Sequence, residues 1–236
     1  MNSKIKDLFN QLKIYIREKQ MIRRSILYVG GLYVLSNGVA LAVKSNLGIS
    51  PINVNPFVLS EIFTGITMGM FTAMLLSLFI FIEFLILRKK FRVANLVEIL
   101  PSFIFGFFVD LSNAIWSHLP PPSSYPIQVI LLISGSIVLS SGLVIYMNAK
   151  LINMPAEGIV VVIAQAIPNG TFPKVKIALD VTLVSIAIVI SLMYFGRLHG
   201  IREGTLWFAI NTGWIMPVVR KGIDPFLKRI GFSLDW

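Results

Sequence analysis

Long apolar runs separated by short polar joints dominate this chain. Ser25–Val43, Met68–Leu87, Asn95–Trp116, Ile127–Met147, Lys174–Tyr194 and Gly204–Val219 each approach the roughly 20 apolar residues that a helix needs to cross a bilayer. Trp116 closes its run where an interfacial anchor is expected. Two shorter runs, Pro51–Phe63 and Pro155–Ile167, lie between the first and second spans and between the fourth and fifth. Each opens with a proline, which suits the first turn of a helix. Each also carries polar side chains: Asn53, Asn55 and Glu61 in one, Glu157 and Gln165 in the other. They are too short and too polar for ordinary lipid-facing spans. The pattern predicts broken or re-entrant helices, tolerated at membrane depth where protein or a watery cavity surrounds their backbone.

The pattern occurs twice. Gly31, Val34-Leu35-Ser36, Gly38, Leu47 and Pro51 return as Gly135, Val138-Leu139-Ser140, Gly142, Leu151 and Pro155, and the register extends to Thr67 and Thr171. A duplicated, Gly/Pro-interrupted hydrophobic unit points to a transporter-like fold with its site between the halves. The expected fold is therefore all-α: a polytopic membrane helix bundle of two internal repeats, with about six full spans and two short proline-started helices.

The repeats take residues 25–116 and 127–219. A linker at 117–126, rich in Pro and Ser, cannot be a helix interior. Residues 1–24 have Ile5, Leu8, Phe9, Leu12, Tyr15 and Ile16 at helical spacing among lysines and arginines, which predicts a basic amphipathic helix on an anionic membrane surface. They show no cleavage-site pattern, so no signal peptide is expected. Residues 220–236 read as an amphipathic tail.

Charge orients the bundle. If the two short segments do not cross, the N-terminus, Arg88–Arg92, Lys150, Lys174, Lys176 and the Arg220–Arg229 segment share one side, and only Lys44, Arg197 and Arg202 are misplaced. That arrangement obeys the positive-inside rule, puts both termini in the cytoplasm, and gives an odd number of spans per half, hence an inverted repeat. Four crossings per half would instead give a parallel repeat.

Composition narrows the class. The 236 residues are 56% hydrophobic and 14% charged, with a mean hydropathy of +0.79. A soluble domain of this size needs more polar surface, so the bilayer is the expected partner. The net charge of +10 sits in the N-terminal segment, short loops and the tail, as in a membrane protein and not a nucleic-acid binder. There is no cysteine, and the two histidines, His118 and His199, lie in loops. No metal-site spacing, nucleophile–base pairing or Walker motif is present. Neither an enzyme nor a cofactor is expected.

The chain resembles the YczE/YitT-type group of bacterial integral membrane proteins. Its first-half block is matched by Gly38, Ala40, Leu41, Lys44, Ser45, Leu47, Gly48, Ser50 and Pro51. The second-half block is matched by Pro155, Glu157, Gly158, Lys176 and Asp180, and the late Gly-Thr by Gly204-Thr205. Two positions depart from that pattern: Asn53 stands for an acid, and Val97-Glu98 stands where Gly-Thr is expected. The resemblance implies a multi-pass protein of the bacterial cell membrane and carries no agreed activity.

Intramembrane charge is expensive and needs a reason. Lys176 and Asp180, four apart on one helix face, are either cavity-lining groups or a helix-end ion pair. Glu157 is either a helix N-terminal cap or a site residue. Lys44, Asn46, Ser50, Asn53 and Asn55 form a polar joint, where a half-helix N-terminus at Pro51 beside Lys44 suits an anion or else is a capped loop. Asp110 is either a pore residue or the partner of a lysine or arginine. Glu83 is expected to pair with Arg88–Lys90. Asn211 is placed to hydrogen-bond across helices. Together these favour a secondary transporter or exporter of a small polar or charged molecule. A water-accessible mid-membrane cavity lined by Lys44, Asn53, Glu157 and Asp180 is then expected. The alternative is a non-transporting membrane scaffold or regulatory partner with a dry interface between the halves.

Overall fold

The computed structural model describes residues 3–91 and 93–229, without the side chains at 3–19, 93, 94, 212 and 213. The protein is all-helical among these residues. The helices are α1 (Ser3–Ser45), α2 (Pro51–Ile62), α3 (Met68–Leu87), α4 (Ile99–Ser117), α5 (Tyr125–Asn148), α6 (Pro155–Ala166), α7 (Phe172–Phe195) and α8 (Glu203–Arg229), with 3-10 turns at Arg88–Lys90 and Val93–Glu98. Five stretches are long and apolar enough to cross a membrane: Gln20–Ser45, Met68–Lys90, Asn95–Ser117, Tyr125–Asn148 and Phe172–Phe195. The sixth expected span, Gly204–Val219, lies inside α8, where Pro217 and Arg220 interrupt the apolar run.

The expected N-terminal amphipathic helix is continuous with the first span as α1, and the face it turns to its surroundings lies outside the described residues. The tail expected from 220 begins within α8, and residues 230–236 lie outside the described residues.

The two short runs fold as expected. α2 and α6 are 12 residues each and begin with proline, about 18 Å of helix against a hydrocarbon core of about 30 Å. Each follows a long helix that stops at an equivalent residue. Asn46 ends α1 with φ 55° and Lys150 ends α5 with φ 49°. A left-handed residue cannot continue a helix. The chain then runs extended into the proline.

Packing sorts the helices into two sets. α4, α1, α5 and α8 form a row, each packed on the next, while α2, α3, α6 and α7 close into a ring in which α2 meets α3, α3 meets α6, α6 meets α7 and α7 meets α2. The short helix of each half thus packs on a long helix of the other half. α3 also packs on α4 and ties ring to row. There a Cβ on Gly69 would fall 2.0 Å from the Gly106 carbonyl oxygen. The repeat-equivalent helices α7 and α8 make no comparable contact among the described residues.

The centre of the row is the α1–α5 seam, where backbone approaches backbone. A Cβ on Gly31 would lie 2.5 Å from the Tyr146 nitrogen, and one on Gly38 would lie 2.4 Å from the Leu139 nitrogen. From the other side, Gly142 meets the Leu35 nitrogen at 2.3 Å and Gly135 meets the Ala42 nitrogen at 3.2 Å. Every step forward through Gly31, Leu35, Gly38 and Ala42 is matched by the same step backward through Tyr146, Gly142, Leu139 and Gly135. The two helices are therefore antiparallel, and small residues let them approach as membrane helices do.

An apolar core including Leu32, Leu35, Val39, Leu76, Phe79 and Val109 fills the space beside the seam. Large side chains such as Phe81, Phe103, Phe107, Ile130, Met193 and Trp214 point outward and are exposed. That much exposed apolar surface requires lipid. The chain is a multi-pass membrane protein.

A buried carboxylate cluster and an opposite cleft

Two polar regions flank the apolar core. The first gathers on the opening turn of α6. Glu157 occupies that turn, where the free N–H groups and the helix dipole favour negative charge. Gly158 follows, and its missing side chain makes room for two more acids. A Cβ there would fall 2.6 Å from Glu83 Oε1 and 3.3 Å from Glu98 Oε2. Glu83 comes from the C-terminal part of α3, and Glu98 from the 3-10 turn that precedes α4. Tyr146 of α5 sets its hydroxyl against Glu157. Tyr28 of α1, packed edge-on against the Tyr146 ring at 5.7 Å, faces Glu157 and Glu98.

Glu83 is 1% exposed, Tyr146 2% and Tyr28 5%, while Glu98 and Glu157 are half-buried. Among the described residues, Glu83 Oε1, Glu98 Oε2 and the Tyr28 hydroxyl have no hydrogen-bond partner, while the Tyr146 hydroxyl and the Glu157 carboxyl stand against each other. Groups so buried are normally satisfied, and each orphan has a substantial desolvation cost. The expected ion pair between Glu83 and Arg88–Lys90 is not formed among the described residues. The reason is helical phase: Glu83 lies on the buried face of α3, whereas Arg88 to Lys90 sit in the exposed turn after it.

Lys176 and Asp180 stand next to this cluster on α7. They form an i, i+4 ion pair with Nζ 2.5 Å from Oδ1. Lys176 is also close enough to act on Glu157. The pair found is the helix-borne one that the spacing allowed, and Asp180 itself is buried.

The second region lies at the other end of α1. A cleft of about 520 Å³ is lined by Lys44, Asn46, Glu61, Asn113, Trp116 and Gln128, among others. It opens between the row, which supplies α1, α4 and α5, and the ring, which supplies α2. The Lys44 ammonium donates to the Leu119 carbonyl and so holds the linker over the cleft. The Asn46 carbonyl accepts from Arg202 Nη1 at 3.0 Å, and the Gly204 nitrogen donates to the Leu47 carbonyl at 2.7 Å. Trp116 donates through Nε1 to Asn37 Oδ1 at 3.0 Å, so it ties α4 to α1 in addition to any interfacial role.

The candidates taken from the sequence do not gather at one place. Glu157, Lys176 and Asp180 come together at the carboxylate cluster, whereas Lys44 and Asn46 come together at the cleft. Ser50 and Asn53 pair locally, with Asn53 Nδ2 donating to Ser50 Oγ at 2.8 Å and Asn53 Oδ1 left unpartnered. Asn55 reaches the Leu183 carbonyl of α7 at 2.8 Å.

Asp110 caps a helix and forms no ion pair with a lysine or arginine among the described residues. Its carboxylate accepts from Thr67 Oγ1 at 2.6 Å and from the Gly69 nitrogen at 2.7 Å, which caps α3. Asn211 is half-buried on α8 and does not line the cleft. Tyr28 and Lys44 are sixteen residues apart, about 24 Å along the helix axis. The single mid-membrane cavity expected to join Lys44, Asn53, Glu157 and Asp180 is therefore replaced by two polar regions with an apolar plug between them.

Sequence reasoning passed over Glu83, Glu98, Tyr28 and Tyr146 as site residues. The signals were present: an acid within an apolar run, and an acid at the very position where the first half departs from Gly-Thr. This architecture defines a polytopic helical membrane protein with buried ionisable groups. Residues 22–221 match DUF6198, a family of unknown function, and the chain belongs to that family. No curated protein and no solved structure matches it.

Proposed function

We propose that this chain is a secondary transporter or exporter of a small polar or charged molecule, built as an inverted repeat in the cell membrane with both termini cytoplasmic. The observation that carries this reading is the position of the ionisable interior groups. They lie between the row and the ring, in two regions at opposite ends of an apolar plug. Relative movement of ring against row opens one region as it closes the other, which is alternating access.

The inverted relation is supported by the α1–α5 seam. Equivalent residues meet in antiparallel order, so the axis relating them is perpendicular to both helices and lies in the membrane plane. The resemblance to the YczE/YitT-type group agrees with this architecture and adds no substrate. No enzymatic step is part of the reading.

The test is reconstitution of the full chain in liposomes, with a panel of small organic cations, organic anions and inorganic ions applied as gradients on solid-supported membranes. At least one class should give a concentration-dependent, saturating current or counterflow that Asp180→Asn weakens or uncouples. Silence across the panel would remove the transporter.

A second reading, a non-transporting scaffold or regulatory partner, is favoured by one observation: the seam between the halves is dry and tightly packed. It predicts no flux and a partner that co-purifies in defined stoichiometry.

A further inference from the structure

Three carboxylates from three elements meet at the opening turn of α6, and no lysine or arginine among the described residues forms an ion pair with any of them. We propose that Glu83, Glu98 and Glu157, with Tyr28 and Tyr146, form a proton-binding site at the inner end of the apolar plug. This deepens the transporter reading by naming the proton as the coupling ion.

Like charges gathered in a low-dielectric interior cannot all persist without a compensating positive charge. The groups that act on the cluster among the described side chains come from its neighbouring elements. α1 offers Tyr28, α5 offers Tyr146, and α7 offers Lys176, whose ammonium is held by Asp180. The compensation is not a coordinated metal ion, because no three acidic or histidine side chains among the described residues are grouped to hold one. Protons remain. They also give the orphaned oxygens what these lack, since a neutral carboxyl donates one hydrogen bond and accepts others. The deeply buried hydroxyls of Tyr28, without a partner among the described residues, and Tyr146, set against Glu157, extend the same network beyond the acids.

Packing alone does not require an acid in this seat. The repeat-equivalents of Gly158 and Glu83 are Val54 and Ala187, both fully buried, and they pack against each other as carbon on carbon in the other half. One half therefore closes the position with hydrocarbon, and the other opens it with glycine to admit a carboxyl. Exposure falls inward from half-buried Glu98 to buried Glu83. That gradient supplies an entry and an end point for a proton.

The full chain in lipid is examined by infrared difference spectroscopy on a step from mildly acidic to mildly alkaline buffer. The expected result is a neutral-carboxyl C=O band that bleaches on the step and shifts in D2O. It should lose about one carboxyl's intensity in Glu83→Gln, with further loss in Glu98→Gln or Glu157→Gln, and should not respond to exchange of Na+ for K+ or choline. Glutamine matches the shape of a neutral acid. If Glu83→Gln is not monodisperse, the two half-buried variants decide by the same readout. Absence of the band, a band that no substitution reduces, or a band that follows Na+ or K+ would each overturn the site. The spectrum needs no solute. A chain that moves nothing can still show the band, so loss of the transporter reading and loss of the proton site are separate outcomes.

Discussion

Replacing Gly38 by alanine adds one methyl group where the α1 and α5 backbones meet in the seam. That methyl would sit 2.4 Å from the Leu139 nitrogen and 2.6 Å from its Cα and Cβ. Carbon contacts settle near 3.5–4.0 Å, so one helix must retreat by roughly 1 Å. The obstacle is backbone, which has no rotamer to change. Overpacking of this kind costs about 1–3 kcal/mol, and the better helix propensity of alanine returns at most about 1 kcal/mol. A net destabilisation of about 1–2 kcal/mol is expected.

Gly142→Ala meets Leu35 in the same way and should match it in size. The double variant should be less destabilised than the two singles combined, because one separation of the helices relieves both clashes. Gly30→Ala is the control: it neighbours Gly31 but finds no atom within 4 Å, and should be neutral or slightly stabilising. The assay is thermal unfolding in detergent followed by tryptophan fluorescence, with size-exclusion recovery after heating. Equal melting of Gly38→Ala and wild type, or equal damage from Gly30→Ala, would refute the seam.

Asp110→Ala should destabilise by about 1–2 kcal/mol through loss of the α3 cap, with Asp110→Asn between it and wild type in melting temperature. Lys176→Ala should cost about 1–2 kcal/mol, below the fully buried case because Lys176 is partly exposed, while Lys176→Met with Asp180→Leu should recover most of it. Because the chain has no cysteine, single cysteines at Gln128 and Asn153 report topology directly. A membrane-impermeant maleimide should label the first only from outside and the second only from inside, and labelling from one common side would refute the inverted arrangement.

Hydropathy and proline placement made the membrane class and both short helices legible, because a proline-opened apolar run bounded by polar joints has few other solutions. α2 and α6 begin at the expected residues and end within one residue of the expected ends. The end of the last span was less clear: α8 runs past Pro217 and Arg220 without a break, since a helix that packs on α5 can tolerate both. The site was half legible. Lys176 and Asp180 announced themselves by i, i+4 spacing. Glu83 did not, because Arg88–Lys90 nearby in sequence suggested a partner that the helical phase turns away. Tyr28 and Tyr146 carry no sequence mark that separates them from core aromatics. Bringing them onto α6 depends on which helices become neighbours, and that is a property of the whole bundle.

The ring of α2, α3, α6 and α7 has a consequence for biogenesis. α2 packs on α3 of its own half but meets its other long neighbour, α7, only in the second half, and the glycine face of α1 meets α5 only there, so both wait through about a hundred residues of synthesis. The first half alone leaves both of these faces uncovered. Severed at Pro120–Ser124, the two fragments should accumulate only when produced together.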